Sequence, residues 1–298
     1  MKINNKKVLC FGEILWDRLP SGSKPGGAPM NVALHLNAIG QEVAIASRVG
    51  NDQAGKELVA FLNHSGLKTD LIQVDDSLPT SEVLVHLDEK NNATYEICEP
   101  VAWDNLQLTD SLVKRTQEAG LLIYGSLASR QEQTKETLSS LLENDAIRLI
   151  DVNLRKPYDK KEIVEPLLEK SDIIKLNDDE LAVFASWNNK SGVEEKKLVK
   201  WLASHYGAGL ICVTKGEHGA LLFAEGQFYE HPGFTVNTVD SVGAGDAFLA
   251  GLIAALFEDK PYDEALAFAC GTGAFVASKA GATPKYNMSK IEQILASR

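Results

Sequence analysis

Residues 240–251 read Asp-Ser-Val-Gly-Ala-Gly-Asp-Ala-Phe-Leu-Ala-Gly, which sets an acid, Asp246, directly behind the turn Gly243-Ala244-Gly245 and at the mouth of a long apolar helix. Glycines let a backbone turn tightly and approach a ligand closely, and the first turn of a helix leaves N–H groups without partners. Those donors, with the positive end of the helix dipole, form an anion site. Asp246 would share the same dipole and be ionised at pH 7, a weak base beside an anion cradle. Phosphoryl transfer tolerates a weak base, because its loose transition state asks mainly for positioning and charge stabilisation. A glycine turn with an acidic first-turn residue is the plainer alternative.

Four further stretches place polar groups at the ends of apolar runs. Gly26-Gly27-Ala-Pro-Met-Asn31 suits contacts with a small hydroxylated ligand, and Gly12-Glu-Ile-Leu-Trp-Asp17 puts Asp17 just past the first strand. Asn177-Asp-Asp-Glu180 offers a carboxylate that could hold a metal directly or through water. Thr214-Lys-Gly216-Glu-His-Gly219 closes another strand with a glycine turn. Each reads equally as a loop, a cap or a solvated charge. Their common place at strand carboxyl ends, where open α/β sheets bind ligands, favours function.

The elements that must position these groups alternate. Strands are expected over 7–12, 42–50, 120–126, 147–152, 172–176 and 209–214, several of them continuous apolar runs as in a parallel sheet covered on both faces. Between them lie helices with legible ends. Pro29 fits a first helical position, with Gly40 after the last turn; Asp52 and Thr109 fit N-caps. The pattern predicts a doubly wound α/β fold, mostly parallel, as one domain over 1–298. Segments 13–27 and 78–104 do not fit that sheet and are expected to form a small β lid, the second with an Asn91-Asn92 turn. Residues 221–233 predict a further hairpin turning at Glu225-Gly226.

Composition excludes several classes. A net charge of −11 argues against nucleic-acid or anionic-membrane binding. The longest apolar run, 247–257, is too short to span a bilayer, and the amino-terminal apolar run is too short for a signal peptide. Four cysteines lie far apart without metal spacing, as in a reduced cytoplasmic protein. No Gly-x-Gly-x-x-Gly follows the first strand. Gly50-Asn-Asp-Gln-Ala-Gly55-Lys56 has a P-loop skeleton, but Glu57 replaces the metal-binding hydroxyl, so Asp52 as a helix cap is preferred.

Taken together and in order, these motifs resemble the PfkB (ribokinase-like) carbohydrate kinases over essentially the whole chain. "GGAPMNVA" resembles the family's N-terminal signature and "DSVGAGDAFLAG" its C-terminal one, with Ser241 where Thr is usual. "NDDE" and "TKGEHG" match its Asn-x-x-Glu and Thr-x-Gly-x-x-Gly motifs. The resemblance implies a ribokinase-like fold, ATP and Mg2+. It makes Asp246 the base, with Gly243, Ala244 and Gly245 as anion hole. It makes Asp17, Gly27, Asn31 and Arg155 the sugar site. Asn177, Thr214, Gly216 and Gly219 would lie along the nucleotide, with part of the adenine pocket from the helix around 265–275. Glu180 would organise Mg2+ through water, and Asp240 with Gly281 would lie near a monovalent cation such as K+. "GEILWDRLP" and "YEICEPVAWDNL" look most like bacterial fructokinases, implying fructose 6-phosphate as product and leaving Glu99 or Trp103 as pocket residues, Trp103 equally as core. A homodimer through the lid is expected. Another acceptor (ribose, 2-keto-3-deoxygluconate or a nucleoside), or a non-catalytic sensor on the same fold, remains open.

Overall fold

The computed structural model describes residues 2–19, 22–87 and 93–297. Its strands are β1 (Val8–Phe11), β2 (Leu15–Leu19), β3 (Gly22–Gly26), β4 (Val43–Gly50), β5 (Ile72–Asp75), β6 (Ser81–Leu87), β7 (Ala93–Ile97), β8 (Leu121–Gly125), β9 (Ile147–Asp151), β10 (Ile173–Asn177), β11 (Leu210–Thr214), β12 (Ala220–Ala224) and β13 (Gln227–His231). Helices are α1 (Ala28–Ala38), α2 (Gln53–His64), α3 (Asp110–Glu118), α4 (Glu132–Leu141), α5 (Lys161–Leu168), α6 (Asp178–Trp187), α7 (Glu195–Tyr206), α8 (Ala244–Phe257), α9 (Tyr262–Ala277) and α10 (Met288–Ala296).

Nine strands form one sheet in the order β13-β12-β11-β10-β9-β8-β1-β4-β5. All its pairs are parallel except those made by β12 with β11 and β13. The predicted doubly wound α/β architecture is therefore the observed one. The six predicted strands appear within a residue or two of their expected ends. β5 was not expected: it is a four-residue edge strand, only one of whose side chains is buried, so it lacks an apolar signature.

Period-2 alternation along the central strands divides the core. Val8 and Cys10 of β1 join one apolar cluster with residues of α1, α2, α8 and α9. Leu9 and Phe11 join the other, with α3 to α7. Both faces being covered explains why these strands read as continuous apolar runs. α8 is buried from Ala247 to Phe257 because it packs against both α1 and α9, and no helix among the described residues is long and apolar enough to cross a membrane.

Helix ends follow their capping residues. The Asp52 Oδ1 accepts the Gly55 N–H at 2.7 Å and its Oδ2 accepts the Thr80 N–H at 2.8 Å. The P-loop-like stretch is thus a cap that also ties α2 to the approach of β6. Thr109 accepts the Leu112 N–H at 3.3 Å. α1 begins one residue before Pro29, with Gly27 as its N-cap.

The segments that did not fit the sheet build a second one, β3-β2-β6-β7, in which only β2 and β6 run parallel. The expected Asn91-Asn92 turn lies outside the described residues. The β12–β13 hairpin turns at Glu225-Gly226, both at positive φ, and extends the main sheet antiparallel.

Candidate active site

Strands β9 and β10, through Asp151 and Lys175, and the amino end of α1, through Asn31, meet the first turn of α8 around Asp246. Gly243 caps α8 at φ 78°, a left-handed conformation that favours glycine, and a side chain there would strike the backbone of Ala282. Ala244 donates its N–H to Ser241 at 3.2 Å, closing the turn. The N–H groups of Gly243, Gly245 and Asp246 have no acceptor among the described residues, so these three, rather than that of Ala244, stand free for an anion.

Asp246 is held by the Asn31 amide, which donates to its Oδ2 at 2.9 Å, joining α1 to α8. Burial and the nearby Asp151 carboxylate push its pKa up to about 6, against the pull of Lys175, Asn31 and Arg155. The expectation of a weak base is corrected on this point: burial and Asp151 outweigh the groups that favour the charge, and Asp246 is a stronger base that still is mostly ionised at pH 7.

Beneath the turn lies a buried ion pair. Lys175 Nζ donates to Asp151 at 2.8 and 3.0 Å, both residues being almost inaccessible. Adjacent parallel strands bring them together: Lys175 of β10 pairs in register with Asp151 of β9. Burial opposes the lysine's charge, yet the Asp151 carboxylate prevails and raises its pKa. A Cβ on Gly245 would lie 3.5 Å from that ammonium, so the cation sits under the anion turn.

The remaining predicted residues occupy two flanks. Asp17 stands on β2 opposite Lys24, and burial raises its pKa against the fields of Arg155 and Lys24. Gly27, at φ 113°, lets the backbone pass the Glu13 carbonyl, which a side chain would strike. Arg155 is exposed, and its charge is felt by both Asp17 and Asp246. On the other flank Asn177 and Thr214 pair in register across β10 and β11, with Gly216 exposed in the turn beyond and Gly219 buried at its end. Glu180 forms a capping box: its Oε2 accepts the Asn177 N–H and its Oε1 the Leu154 N–H, each at 2.8 Å. Asp240 accepts from Val242 at 3.1 Å and Gly281 at 3.0 Å, clasping two loops beside Gly243. Trp103 is fully buried and belongs to the core, and the exposed Glu99 accepts from Tyr158 and Gln131. An open cleft of about 450 Å3, lined by 142–148 and Asp172, lies at the opposite, amino-terminal edge of the sheet.

Comparison with known proteins decides the family: the model for "pfkB family carbohydrate kinase" matches residues 21–288. The chain belongs to that family. Fructokinase-2 of Solanum habrochaites is 29% identical over 306 aligned positions, covering 93% of this chain and 92% of that protein. The ATP-bound fructokinase of Xylella fastidiosa shares the fold with a TM-score of 0.85 at 24% identity, over 98% of both chains. A Vibrio cholerae fructokinase variant, solved with fructose, ADP and potassium, gives 0.84 at 23%, again over 98% of both.

Sequence reasoning missed three residues of this pfkB-family site. Lys175 had a signal, a lysine inside the apolar strand "DIIKL", and Asp151 ends a similar strand; only strand register shows that they meet. His35, one turn beyond Asn31, is buried and bonded to the Tyr286 hydroxyl at 3.0 Å. Burial lowers its pKa to about 4, although the backbone of Ala282 and Gly243 pulls the other way, so a neutral ring supports the anion turn. Replacing Lys175 by Met should leave Asp151 buried and unpaired, lowering stability by about 3–5 kcal/mol. Urea denaturation should show the Asp151→Asn/Lys175→Met double variant recovering most of that loss; equal losses in the two would dismiss the pairing.

Proposed function

We propose that this pfkB-family enzyme transfers the γ-phosphoryl group of ATP to the 6-hydroxyl of D-fructose. The observation that carries the reading is Asp246, a half-buried carboxylate oriented by Asn31 beside three free N–H groups and a buried lysine. The acceptor is argued from the relatives: the plant protein is named a fructokinase, and the Vibrio neighbour carries fructose and ADP.

The acceptor hydroxyl lies between Asp17 and Asn31 on one side and Asp246 on the other. Its proton passes to Asp246 as its oxygen bonds the γ-phosphorus. The bond from that phosphorus to the β–γ bridging oxygen breaks, and ADP leaves. The N–H groups of Gly245 and Asp246 and the α8 dipole meet the charge of the transferring group. Lys175 adds positive charge that Asp151 keeps in place. Thr214 and Gly216 border the nucleotide. Mg2+ arrives with ATP and supplies neutralisation of phosphate charge. Among the described residues no three acids, histidines or cysteines gather into a metal cage, which fits an ion held chiefly by phosphates and water. Glu180 keeps spare lone pairs for such waters. A K+ ion would sit at the Asp240–Gly281 clasp. A cytoplasmic setting completes the reading.

ADP release should be measured with fructose, ribose, glucose, 2-keto-3-deoxygluconate and adenosine. Turnover with fructose alone supports the proposal; turnover with another member keeps the chemistry and rejects the sugar. Asp246→Asn should lower kcat by about 100-fold or more with the fold intact. Because the base must be deprotonated, kcat/KM should fall about tenfold per unit as pH drops below about 6, and be flat above neutrality. An acid limb centred near pH 4 would remove Asp246 from the role.

The small sheet offers β3 and β7 as edges with unpaired backbone groups, and a second copy meeting lid to lid would cover them. Sedimentation velocity should then give twice the 32.4 kDa chain mass. A monomer at micromolar concentration would dismiss this assembly.

A further inference from the structure

The stretch Gly50–Glu57 has the spacing of a phosphate loop, yet its interior is filled by protein. A Cβ on Gly50 would lie 2.6 Å from the Thr80 nitrogen and 2.7 Å from the Leu78 carbonyl oxygen, and one on Gly55 would lie 2.7 Å from Thr80 Oγ1. Both glycines therefore admit the segment 78–80 rather than a ligand. That segment carries the chain from β5 of the large sheet into β6 of the small one. Asp52 closes the contact. Its Oδ1 accepts from the Thr80 hydroxyl at 2.7 Å as well as from the Gly55 N–H, while its Oδ2 takes the Thr80 N–H. The same hydroxyl accepts the Gly50 N–H at 3.0 Å. Asp75 holds the other end of the crossing, its Oδ1 accepting the N–H groups of Ser77 and Leu78, each at 2.9 Å.

A second tie reaches the same turn of α2 from β2. Trp16 Nε1 donates to the Ala54 carbonyl at 3.0 Å. β2 and β6 are the parallel central pair of the small sheet, with Trp16 opposite Glu82 and Asp17 opposite Val83, and Arg18 is paired with Glu82. Ala54 thus holds β2 directly, and Asp52 holds it through Thr80 and β6. Asp17 follows Trp16 in the chain, so a shift of either tie moves its carboxylate relative to Asn31 and Asp246, which belong to the body.

We propose that Asp52 is a positioning residue for the acceptor: with Trp16 it fixes the small sheet on the first turn of α2 and so sets Asp17 against Asn31 and Asp246. This rests on the sugar-kinase reading and deepens it, because it makes acceptor affinity depend on a turn whose polar groups are spent on the protein itself. A misplacement of about 1 Å, transmitted from such a turn, is enough to cost a large factor at the site.

The test is calorimetric titration, with D-fructose and with ATP, of wild type, Asp52→Asn, Asp52→Ser, Asp17→Asn and the Asp17→Asn/Asp52→Asn double variant. Asp52→Asn keeps one oxygen for the Gly55 cap and sets an amide NH2 against the Thr80 N–H. Asp52→Ser keeps a good helix cap but has one oxygen where Asp52 uses two. Both should bind fructose about 10- to 100-fold more weakly than wild type and ATP within about twofold of it. The double variant should bind fructose within about twofold of Asp17→Asn alone, since the two residues act through one contact. Trp16→Phe, which removes the Nε1 donor and leaves the cap intact, should lose fructose affinity likewise and carries the comparison if the Asp52 variants fail to fold. Three results overturn the inference: an Asp52→Ser or Trp16→Phe protein that binds fructose like wild type, a loss shared equally by ATP, or losses that multiply in the double variant. A wild type that binds ATP and no fructose rejects the sugar reading itself, and this inference with it.

Discussion

The contact on which the site depends is the 2.9 Å bond from Asn31 to Asp246, made between two helices that are remote in sequence and pressed together in the core. It fixes a carboxylate where water is scarce, and scarcity of water is what makes that carboxylate basic. The same burial would be destabilising without compensation, since an isolated buried charge is expensive. Lys175 and Arg155 provide compensation from opposite sides, and Asp151 limits how far it goes. Without Asp151, burial alone would oppose the two cations and the Asn31 amide; without Lys175, two neighbouring acids would stand against a single cation. The site is thus a balance among four charges, set by strand register and helix packing.

How much of this the sequence disclosed depends on what carried each feature. The glycine turn before Asp246, the Gly26-Gly27 entry to α1 and the Asn177–Glu180 capping box are local in the chain, so their residues stand at fixed offsets and could be read directly. The alternation of strands and helices was equally legible, because covering both sheet faces leaves long apolar runs. The Asp151–Lys175 pair was not legible as a pair: it exists only because β9 and β10 are neighbours in one particular register. The shift of Asp246 was misjudged for a related reason. A helix terminus can be inferred from a sequence, but the burial of the carboxylate and its nearness to Asp151 cannot.

Some motif residues turned out to bind the protein to itself. Glu180 spends one lone pair of each oxygen on backbone N–H groups, of which Leu154 belongs to the loop that carries Arg155. Its effect on a phosphate-bound metal would therefore come with a second effect, the placing of that arginine. Asp240 likewise links the residues before α8 to the loop after α9 through Gly281, and His35 supports the turn from below. The free amides of Gly245 and Asp246 are oriented by these supports before any phosphate arrives, which is the condition under which hydrogen-bond donors stabilise a transition state without reorganising.

The division of labour between the two sheets follows from where the charges stand. Asp17 is on β2 of the small sheet, whereas Asp246, Asn31 and Lys175 belong to the body. A sugar held by both must bridge them, so its binding and the docking of the small sheet are coupled. That coupling has a chemical use. Water is itself an acceptor for the γ-phosphoryl group, and a base as strong as the half-buried Asp246 would activate it too. In the proposed reaction, tying closure of the small sheet to occupancy by a polyhydroxylated acceptor would keep water out while the base and the anion turn are both in place.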